Sequence, residues 1–530
     1  MKYRRVLLVS AVVVLAFVSG GWLMQRSEAQ TDDAYEKERL FQEILGLVAR
    51  YYVDTVSTGD LYDMAIEGML DRLNDPYTSF LRPEVYEELN LSTTGDYGGV
   101  GIRIESRDQW ITIVSPLADT PGDRAGLQAG DLIIEINGMS TKGWTTQQAA
   151  DVMRGKPGTD VELAVARAGF AEPLQFTITR AQIHVNYVEG QDIVAPGIGY
   201  LQLNSVSREA PQELKVAIDS LRARGARSLI LDLRANPGGI LEEGVAIADL
   251  FLDSAEVVVE MKGRARGATR TFAAETGESW SNMPIVVLVG PRTASAAEIV
   301  SGALQDHDRA LVLGTRTFGK GVAYVVLPLS ETEALSVTTS RWYTPSGRSI
   351  DRPVHRSTSE TVARAAIDVT DSATADSLRY RSDSGRLLGD GGGIKPDIEL
   401  PDTLTQPEQA FAEALGTDLP KFRDVLARYA LDLKGSQTFA SADFQVTSDM
   451  TAEFLRRLRN RGVEMPDSIW QGARDFVGEQ LGYEITRYVF GRAAEIRRRL
   501  RDDIQVQRAI ELLSQADTPR QLLDLARRSQ

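Results

Sequence analysis

A serine and a lysine in neighbouring segments have the residue types and the setting for nucleophilic chemistry. Ser295 follows the apolar stretch 285–289 and precedes a helical pattern, so its hydroxyl would lie at a strand-to-helix turn near exposed backbone N–H groups. Lys320 lies between Gly319 and Gly321, and a lysine in a tight apolar loop can lose its proton. The two residues therefore suggest a nucleophile and a general base that need no histidine.

Each residue also has a simpler interpretation. Ser295 and Glu298 fit a capping box, and Lys320 alone would be an ordinary surface lysine. The segment 229–239 (LILDLRANPGG) favours the catalytic interpretation. An apolar strand there ends in a glycine turn, which can offer free N–H groups to an oxyanion. Glu298 is then expected to support the helix start or the geometry of the lysine.

The surrounding segments predict an α/β core between helical regions. Strand and helix patterns alternate over about 181–350, which is typical of α/β folds. Residues 30–92 predict helices, the second starting near Asp60 and the third at Pro83. Residues 403–530 are mostly helical in pattern, with packing or dimerisation as their expected role.

A small β-rich module is expected between the N-terminal helices and the core. Its glycine loop contains four consecutive residues whose N–H groups could hold a carboxylate, namely Gly99, Val100, Gly101 and Ile102. The strand that follows could pair with an extended peptide. This loop, followed by the sequence AGLQAGDLI, resembles the PDZ family and its carboxylate-binding loop.

Composition excludes several classes of site. The 530 residues include no cysteine, which excludes disulfides, thiolate zinc sites and cysteine nucleophiles. The three histidines form no HExxH motif, and His307 is expected to be a surface residue. No metal or cofactor is therefore expected. The net charge of −15 argues against a nucleic-acid partner.

The N-terminus has the features of a targeting segment. Lys2, Arg4 and Arg5 precede an apolar run over 6–24, which is just long enough to span a bilayer. Residues 1–29 are expected to be a signal peptide or a membrane anchor, with the anchor preferred. In either case the body of the protein would be exported.

The motifs occur in the order found in the carboxyl-terminal processing peptidases, also called tail-specific proteases, and the resemblance covers about residues 35–401. The matching segments are YYVD, NDPYTSFL, GGVGI, AGLQAGDLIIEING, LDLRANPGG, TASAAEIVSGALQD, TFGKG, YTPSGRSI and GIKPDIEL.

This resemblance assigns roles to individual residues. It implies that Ser295 is the nucleophile, that Lys320 is the base, and that the N–H groups of Gly238 and Ala296 form the oxyanion hole. The family usually has glutamine four residues after the lysine, where this chain has Tyr324. The phenol could orient the lysine through a hydrogen bond, or it could mark weakened activity.

The resemblance also implies a multidomain α/β protein, a crotonase-like protease core with an inserted PDZ domain. The expected segments are a signal or anchor at 1–29, a helical region at 30–95, a PDZ domain at 96–180, a Ser/Lys protease core at 181–402 with an insertion at about 352–378, and a helical region at 403–530. The insertion is flanked by similar segments, 341–348 (RWYTPSGR) and 379–386 (RYRSDSGR), which predict related turns.

The function implied by the resemblance is an exported, periplasmic serine endopeptidase. Its substrates would be proteins recognised by unfolded or tagged C-terminal tails, and a homodimer is a possible assembly. A PDZ-containing pseudoprotease that binds C-termini without cutting remains the alternative, which Tyr324 favours. A crotonase-like acyl-CoA enzyme is disfavoured by the export signal and the PDZ-like module.

Overall fold

The computed structural model describes residues 35–167, 169–352, 380–389, 392–436 and 438–528. The expected signal or anchor and nearly all of the 352–378 insertion lie outside these residues. No helix in the described ranges has both the length and the apolar character needed to cross a membrane. The chain divides into two compact units, of which the first contains residues up to Arg82 together with Val326–Val337.

The helices of the described residues are α1 (35–51), α2 (Thr58–Arg72), α3 (Pro83–Thr94), α4 (Pro121–Arg124), α5 (Thr146–Met153), α6 (Ala210–Ala223), α7 (Leu241–Asp249), α8 (Ala296–Asp306), α9 (Gln406–Leu415), α10 (Leu419–Ser436), α11 (Ser448–Asn460), α12 (Asp467–Phe490), α13 (Arg492–Asp502), α14 (Ile504–Leu513) and α15 (Pro519–Arg528).

The strands are β1 (Ser79–Leu81), β2 (Asp96–Gly99), β3 (Ile102–Arg107), β4 (Trp110–Pro116), β5 (Leu132–Ile136), β6 (Met139–Ser140), β7 (Asp160–Ala166), β8 (Leu174–Thr179), β9 (Ala181–His184), β10 (Val188–Ala195), β11 (Ile198–Leu203), β12 (Ser228–Asp232), β13 (Val257–Gly263), β14 (Arg270–Ala273), β15 (Ile285–Val289), β16 (Leu311–Gly314), β17 (Val322–Pro328), β18 (Ala334–Tyr343), β19 (Tyr380–Arg381), β20 (Leu387–Leu388) and β21 (Ile398–Glu399).

The first unit is mainly helical. Ser57 caps α2 by accepting the Asp60 N–H at 3.1 Å, so this helix begins close to the expected position. Strand β1 pairs antiparallel with the first residues of β18, with Ser79 opposite Ser336. Phe41 of α1 and Tyr62 of α2 are in ring contact, with centroids 6.3 Å apart.

Within the second unit, a β-rich domain precedes the central sheet. Its strands follow the order β3-β4-β5-β7-β8, and β2 pairs separately with β9. Helix α5 begins with a full capping box, in which Thr145 and Gln148 satisfy each other's backbone N–H groups. The side chains at the centre of the domain are fully buried and aliphatic, namely Ile111, Ile113, Ile133, Val161 and Leu163.

The second unit is built around a six-stranded sheet in the order β10-β11-β12-β15-β16-β21. All its strands are parallel except β10, which is antiparallel to β11. Every residue of β12 and β15 is buried. Both faces of such a sheet must therefore be covered by other elements.

Different parts of the chain cover the two faces. Helices α6, α7 and α8 pack on one face, whose sheet residues include Leu201, Leu229, Leu231, Ile285 and Val287. Helices α13, α14 and α15 contribute to the apolar cluster on the other, with sheet residues Tyr200, Ile230, Val286, Leu288 and Leu313. Helices α13, α14 and α15 thus complete the core around the central sheet, which is the packing role expected for part of 403–530.

The remaining C-terminal helices, α9 to α12, form a bundle with its own aromatic core. Phe422 packs edge-on against both Phe411 and Phe454, with ring centroids 5.5 Å apart in each pair. This bundle contacts the β-rich domain, where Arg107 donates a hydrogen bond of 2.9 Å to the Tyr488 hydroxyl.

The two similar segments beside the insertion form the same turn. Thr344 and Ser382 each accept from the glycine three residues later and donate to the arginine four residues later. Arg348 pairs with Asp306, and Arg386 pairs with Asp308. The predicted relation between these turns is confirmed, and both arginines are fastened to the C-terminal end of α8.

Candidate active site

Ser295 is the residue just before α8, and its backbone has a strained conformation. Its φ of 55° is uncommon for a residue other than glycine. The turn is fixed by Thr293, whose hydroxyl donates to the Leu233 carbonyl at 2.8 Å. Ser295 and Glu298 also have the arrangement of a capping box, as the simpler interpretation expected. The serine thus lies at the strand-to-helix turn that the sequence predicted, with a strained backbone.

Glu298 joins the serine turn to the lysine loop. One oxygen of its carboxylate accepts the Ser295 N–H at 2.8 Å and the Lys320 N–H at 2.9 Å. The other accepts the Gly319 N–H at 2.7 Å and the Thr317 hydroxyl at 2.5 Å. The side chain has no exposed surface. One buried carboxylate therefore supports both the helix start and the lysine loop, as the sequence suggested.

Burial also changes the acidity of this carboxyl group. Loss of hydration raises the pKa of Glu298 to about 7, against the opposing effect of the hydrogen bonds from Thr317, Lys320, Gly319 and Ser295. Near neutral pH the group is thus close to the point at which it gains or loses its proton.

Other parts of the chain pack closely against the backbone of the lysine loop (319–321). A Cβ atom at Gly319 would lie 2.9 Å from the Gly393 nitrogen and 3.0 Å from the Ile350 oxygen, and this residue has a φ of 90°. Trp342 donates its indole N–H to the Lys320 carbonyl at 3.1 Å. The backbone that carries the lysine is therefore held on both sides.

The face of the Tyr324 ring contacts the side-chain nitrogen of Lys320. The lysine Nζ lies 4.6 Å from the ring centroid, a cation–π distance. The sequence had suggested a hydrogen bond from the phenol oxygen, and among the described residues none is formed between the two side chains. The face of an aromatic ring attracts positive charge, so this contact would stabilise the lysine in its protonated form.

The glycine turn after β12 packs directly on the serine turn. Gly238 has a φ of 94°, and a Cβ atom there would lie 2.6 Å from the Ala294 oxygen and 2.8 Å from the Ala296 nitrogen. Its own N–H donates to the Asn236 side chain at 2.8 Å. The Ala296 N–H is at the first residue of α8, where the helix supplies no acceptor. The two expected oxyanion donors are thus neighbours, and one is engaged by Asn236.

The expected carboxylate-binding loop of the β-rich domain is fixed through its carbonyl groups. The Gly101 carbonyl accepts hydrogen bonds from the Leu117 N–H and the Thr120 hydroxyl, both at 2.9 Å. The Val100 carbonyl accepts the Gly122 N–H at 2.7 Å. These contacts fix the backbone of the loop that the sequence predicts to hold a carboxylate.

A positive charge lies close to this loop. The guanidinium carbon of Arg154 lies 5.5 Å from the centroid of the Tyr97 ring. That ring in turn lies against Gly99, where an added Cβ atom would be 2.7 Å from it. Arg154 follows directly after α5, and its place beside the loop was not predicted from the sequence.

His307 is not the surface residue that the sequence suggested. Its side chain is only 10% exposed, and its Nδ1 lies 2.8 Å from Asp383. Its Nε2 bonds to the Val257 carbonyl at 2.8 Å. The expectation was wrong because Asp383, which is distant in the sequence, packs against the imidazole ring of His307. His307 follows the last turn of the helix that Ser295 begins, so it cannot serve that serine as a base.

Comparisons with known proteins match three parts of the chain. The profile of peptidase family S41 matches residues 197–358, and that of the PDZ domain matches residues 112–167. A third profile, the activating protease CtpB N-terminal domain, matches residues 20–85.

Complete relatives are similar over most of their length. A carboxy-terminal-processing protease from Bartonella bacilliformis is 37% identical over 63% of this chain and 78% of the relative. A carboxyl-terminal-processing protease from Synechocystis sp. is 37% identical over 64% of this chain and 80% of the relative. A solved photosystem II D1 C-terminal processing protease is 27% identical, with a TM-score of 0.35, and the match covers 72% of this chain and 97% of that one.

Fold and matches together define a serine-type peptidase that carries a PDZ domain. The chain belongs to peptidase family S41, the carboxyl-terminal processing proteases.

Replacing Glu298 by glutamine is expected to change how stability depends on pH. Burial raises the pKa of Glu298 from 4.5 to about 7, so between these pH values the folded protein binds a proton that the unfolded chain does not. The wild type should therefore lose unfolding free energy relative to Glu298→Gln as the pH rises from about 5 to about 7.5, by about 2–3 kcal/mol.

Urea denaturation of both proteins at the two pH values measures this difference, and subtracting the variant cancels the other titrating groups. A difference that does not change with pH would show that the four hydrogen bonds keep the carboxylate ionised throughout.

Replacing Tyr324 separates its ring from its hydroxyl. Tyr324→Phe keeps the ring face and should hold kcat within about twofold, whereas Tyr324→Leu should raise kcat about fivefold near neutral pH, because it removes a cation–π contact, worth ~0.5–2 kcal/mol, that stabilises the charged lysine. Tyr324→Gln, which introduces the residue usual in the family, should preserve or raise turnover. Hydrolysis of one unstructured peptide measures all three, and a Phe variant whose kcat changes as much as that of the Leu variant would assign the effect to the hydroxyl.

Proposed function

We propose that this chain is an exported endopeptidase that captures protein C-terminal tails with its PDZ domain and cleaves them with a Ser295/Lys320 dyad. The observation that supports the dyad most directly is the shared Glu298 oxygen, which accepts the N–H groups of both residues. Two segments that are separate in sequence are thereby kept in one place. The proposed core is the crotonase-like layer implied by the family resemblance.

The proposed reaction proceeds through an acyl-enzyme. Neutral Lys320 takes the proton of the Ser295 hydroxyl while the Oγ atom attacks the peptide carbonyl carbon. The carbonyl oxygen becomes an oxyanion and is stabilised by the N–H groups of Ala296 and Gly238. Lys320 then gives the proton to the leaving amine, the C–N bond breaks, and water repeats the sequence to release the acid.

Two features of the resting site must change for this reaction. The Tyr324 ring stabilises the charged lysine, so Lys320 must lose its proton and leave the ring face before it acts as a base. The Gly238 N–H must also turn from the Asn236 oxygen toward the oxyanion. Both changes need only local movement within glycine-containing loops.

The PDZ domain would bind the tail before cleavage. The N–H groups of the loop Gly99 to Ile102 would hold the terminal carboxylate, and the edge of β3 would pair with the preceding residues. Apolar final residues are expected in substrates, with Ile104 and Val152 as candidates to line the side-chain pocket. The domain would also limit access to Ser295 until a tail has docked.

The proposed location is extracytoplasmic. Basic residues before an apolar run at 6–24 support export, with the segment retained as an inner-membrane anchor or removed. A homodimer remains part of the proposal. The alternative of an inactive PDZ-containing pseudoprotease is not favoured, because relatives similar over most of their length are named as processing proteases.

Ser295→Ala and Lys320→Ala should each lower turnover by at least ~10³-fold, because each removes one half of the nucleophile–base pair. Hydrolysis of an unstructured peptide measures the loss, and thermal unfolding checks that the fold is intact. Lys215→Ala, at an exposed lysine paired with Asp219, is the control and should retain wild-type turnover. Wild-type turnover in either site variant would refute the dyad.

Amidation of a peptide's C-terminus should weaken its binding to the Ser295→Ala protein by ~1.5–3 kcal/mol, because a charged hydrogen bond is lost. Gly101→Ala should abolish the difference between acid and amide, since its Cβ would lie 2.3 Å from Thr120 Cβ.

Gly138→Ala is the matched control for this experiment, because Gly138 has a similar positive φ but open space at the Cβ position. It should leave the preference for the free acid intact. Equal affinity of the unaltered loop for acid and amide peptides, measured by calorimetry, would contradict carboxylate recognition.

A further inference from the structure

Arg234 lies two residues after the end of β12, at the start of the turn that contains Asn236 and Gly238. Its backbone N–H donates to Asp232 Oδ1 at 2.9 Å, and its guanidinium donates to Asp232 Oδ2 at 2.6 Å. Asp232 is almost fully buried and also accepts the Tyr200 hydroxyl at 2.8 Å. The start of the turn is thus tied to the end of β12 by a buried ion pair.

The far end of the chain completes this ion pair. Asp503 Oδ2 lies 2.8 Å from Arg234 Nη2, and Gln505 Oε1 accepts from Arg234 Nη1 at 2.9 Å. Gln505 is itself fixed by donating to the Leu400 carbonyl at 2.6 Å. The guanidinium is therefore held between the sheet and the start of α14.

Asp503 has two separable roles. Its Oδ1 atom accepts the N–H groups of Gln505 and Val506, both at 3.0 Å, and so caps α14. Its other oxygen makes the ion pair with Arg234. A neutral residue that can still cap a helix would remove the second role and keep the first.

The arginine lies beside both turns that would surround the reacting carbonyl. A Cβ atom at Gly290, just before the serine turn, would be 3.8 Å from Arg234 Cβ. Two residues further along, the Asn236 carbonyl accepts the Ala294 N–H at 3.1 Å and its side chain accepts the Gly238 N–H. A shift of Arg234 would thus move the expected oxyanion donor relative to Ser295.

We infer that Asp503 and Gln505 are positioning residues for the oxyanion turn and act on it through Arg234. The C-terminal segment then contributes to the rate of the reaction as well as to the cover of the sheet. This inference rests on the proposed function, because it requires the turn at Gly238 to face the reacting carbonyl.

Asp503→Asn tests the inference, since asparagine caps helices as well as aspartate does but carries no charge. We expect kcat for an unstructured peptide to fall about tenfold, with KM within about twofold. An oxyanion donor stabilises the transition state and not the bound substrate, so a misplaced donor lowers kcat and leaves KM unchanged. The melting temperature should change little. Asp503→Glu, which restores the charge, should recover part of the lost kcat.

Asp443→Asn is the matched control. Asp443 is an exposed aspartate in the same C-terminal region and pairs with Arg501, away from Arg234. It should leave both kcat and KM unchanged. Asn236→Ala combined with Asp503→Asn should cost less than the product of the single effects, because both changes act on one turn.

The outcomes separate this inference from the proposed function. An inactive Ser295→Ala protein beside a fully active Asp503→Asn protein would overturn the positioning role alone. Equal losses in Asp503→Asn and Asp443→Asn, or a loss that appears in KM or melting temperature without a change in kcat, would overturn it as well. Full turnover by Ser295→Ala would overturn the dyad, and the inference with it.

Discussion

The structure of the site depends on burying one carboxylate where water cannot reach it. Glu298 exchanges its hydration for four hydrogen bonds, three of them from backbone N–H groups. Removing the carboxylate would leave those donors buried without partners, which costs ~1–3 kcal/mol for each. The geometry of the serine turn and that of the lysine loop are therefore linked through one side chain.

The second constraint comes from the parallel sheet, which must be covered on both faces. The protease segment of the chain supplies helices for one face only. The other is covered by helices from the last forty or so residues, which reach the sheet after the chain has formed a separate bundle. The C-terminal helices therefore form part of the core around the sheet, and the Arg234–Asp503 ion pair lies where the two parts of the chain meet.

Local patterns are enough to predict the candidate site. Ser295 was singled out because a strand-turn-helix pattern is short, and Lys320 because glycines bracket it. Glu298 was predicted to support the helix start or the geometry of the lysine, and the structure shows its carboxylate bonded to both segments. The contact between Arg234 and Asp503 could not be predicted, because no local signal pairs residues so far apart in sequence. Strand alternation likewise placed Tyr324 on the side of Lys320, but the expected contact was through the hydroxyl and the structure shows one through the ring.

The similar turns at 344–348 and 382–386 are both attached to the C-terminal end of α8. Each fixes its arginine to the end of α8, so the ends of the intervening segment are held independently of what it contains. Closing a flexible loop costs only ~0.6 kcal/mol more when its length doubles. A change of length or sequence between Arg352 and Tyr380 should therefore cost the core little free energy, because it would alter neither arginine contact.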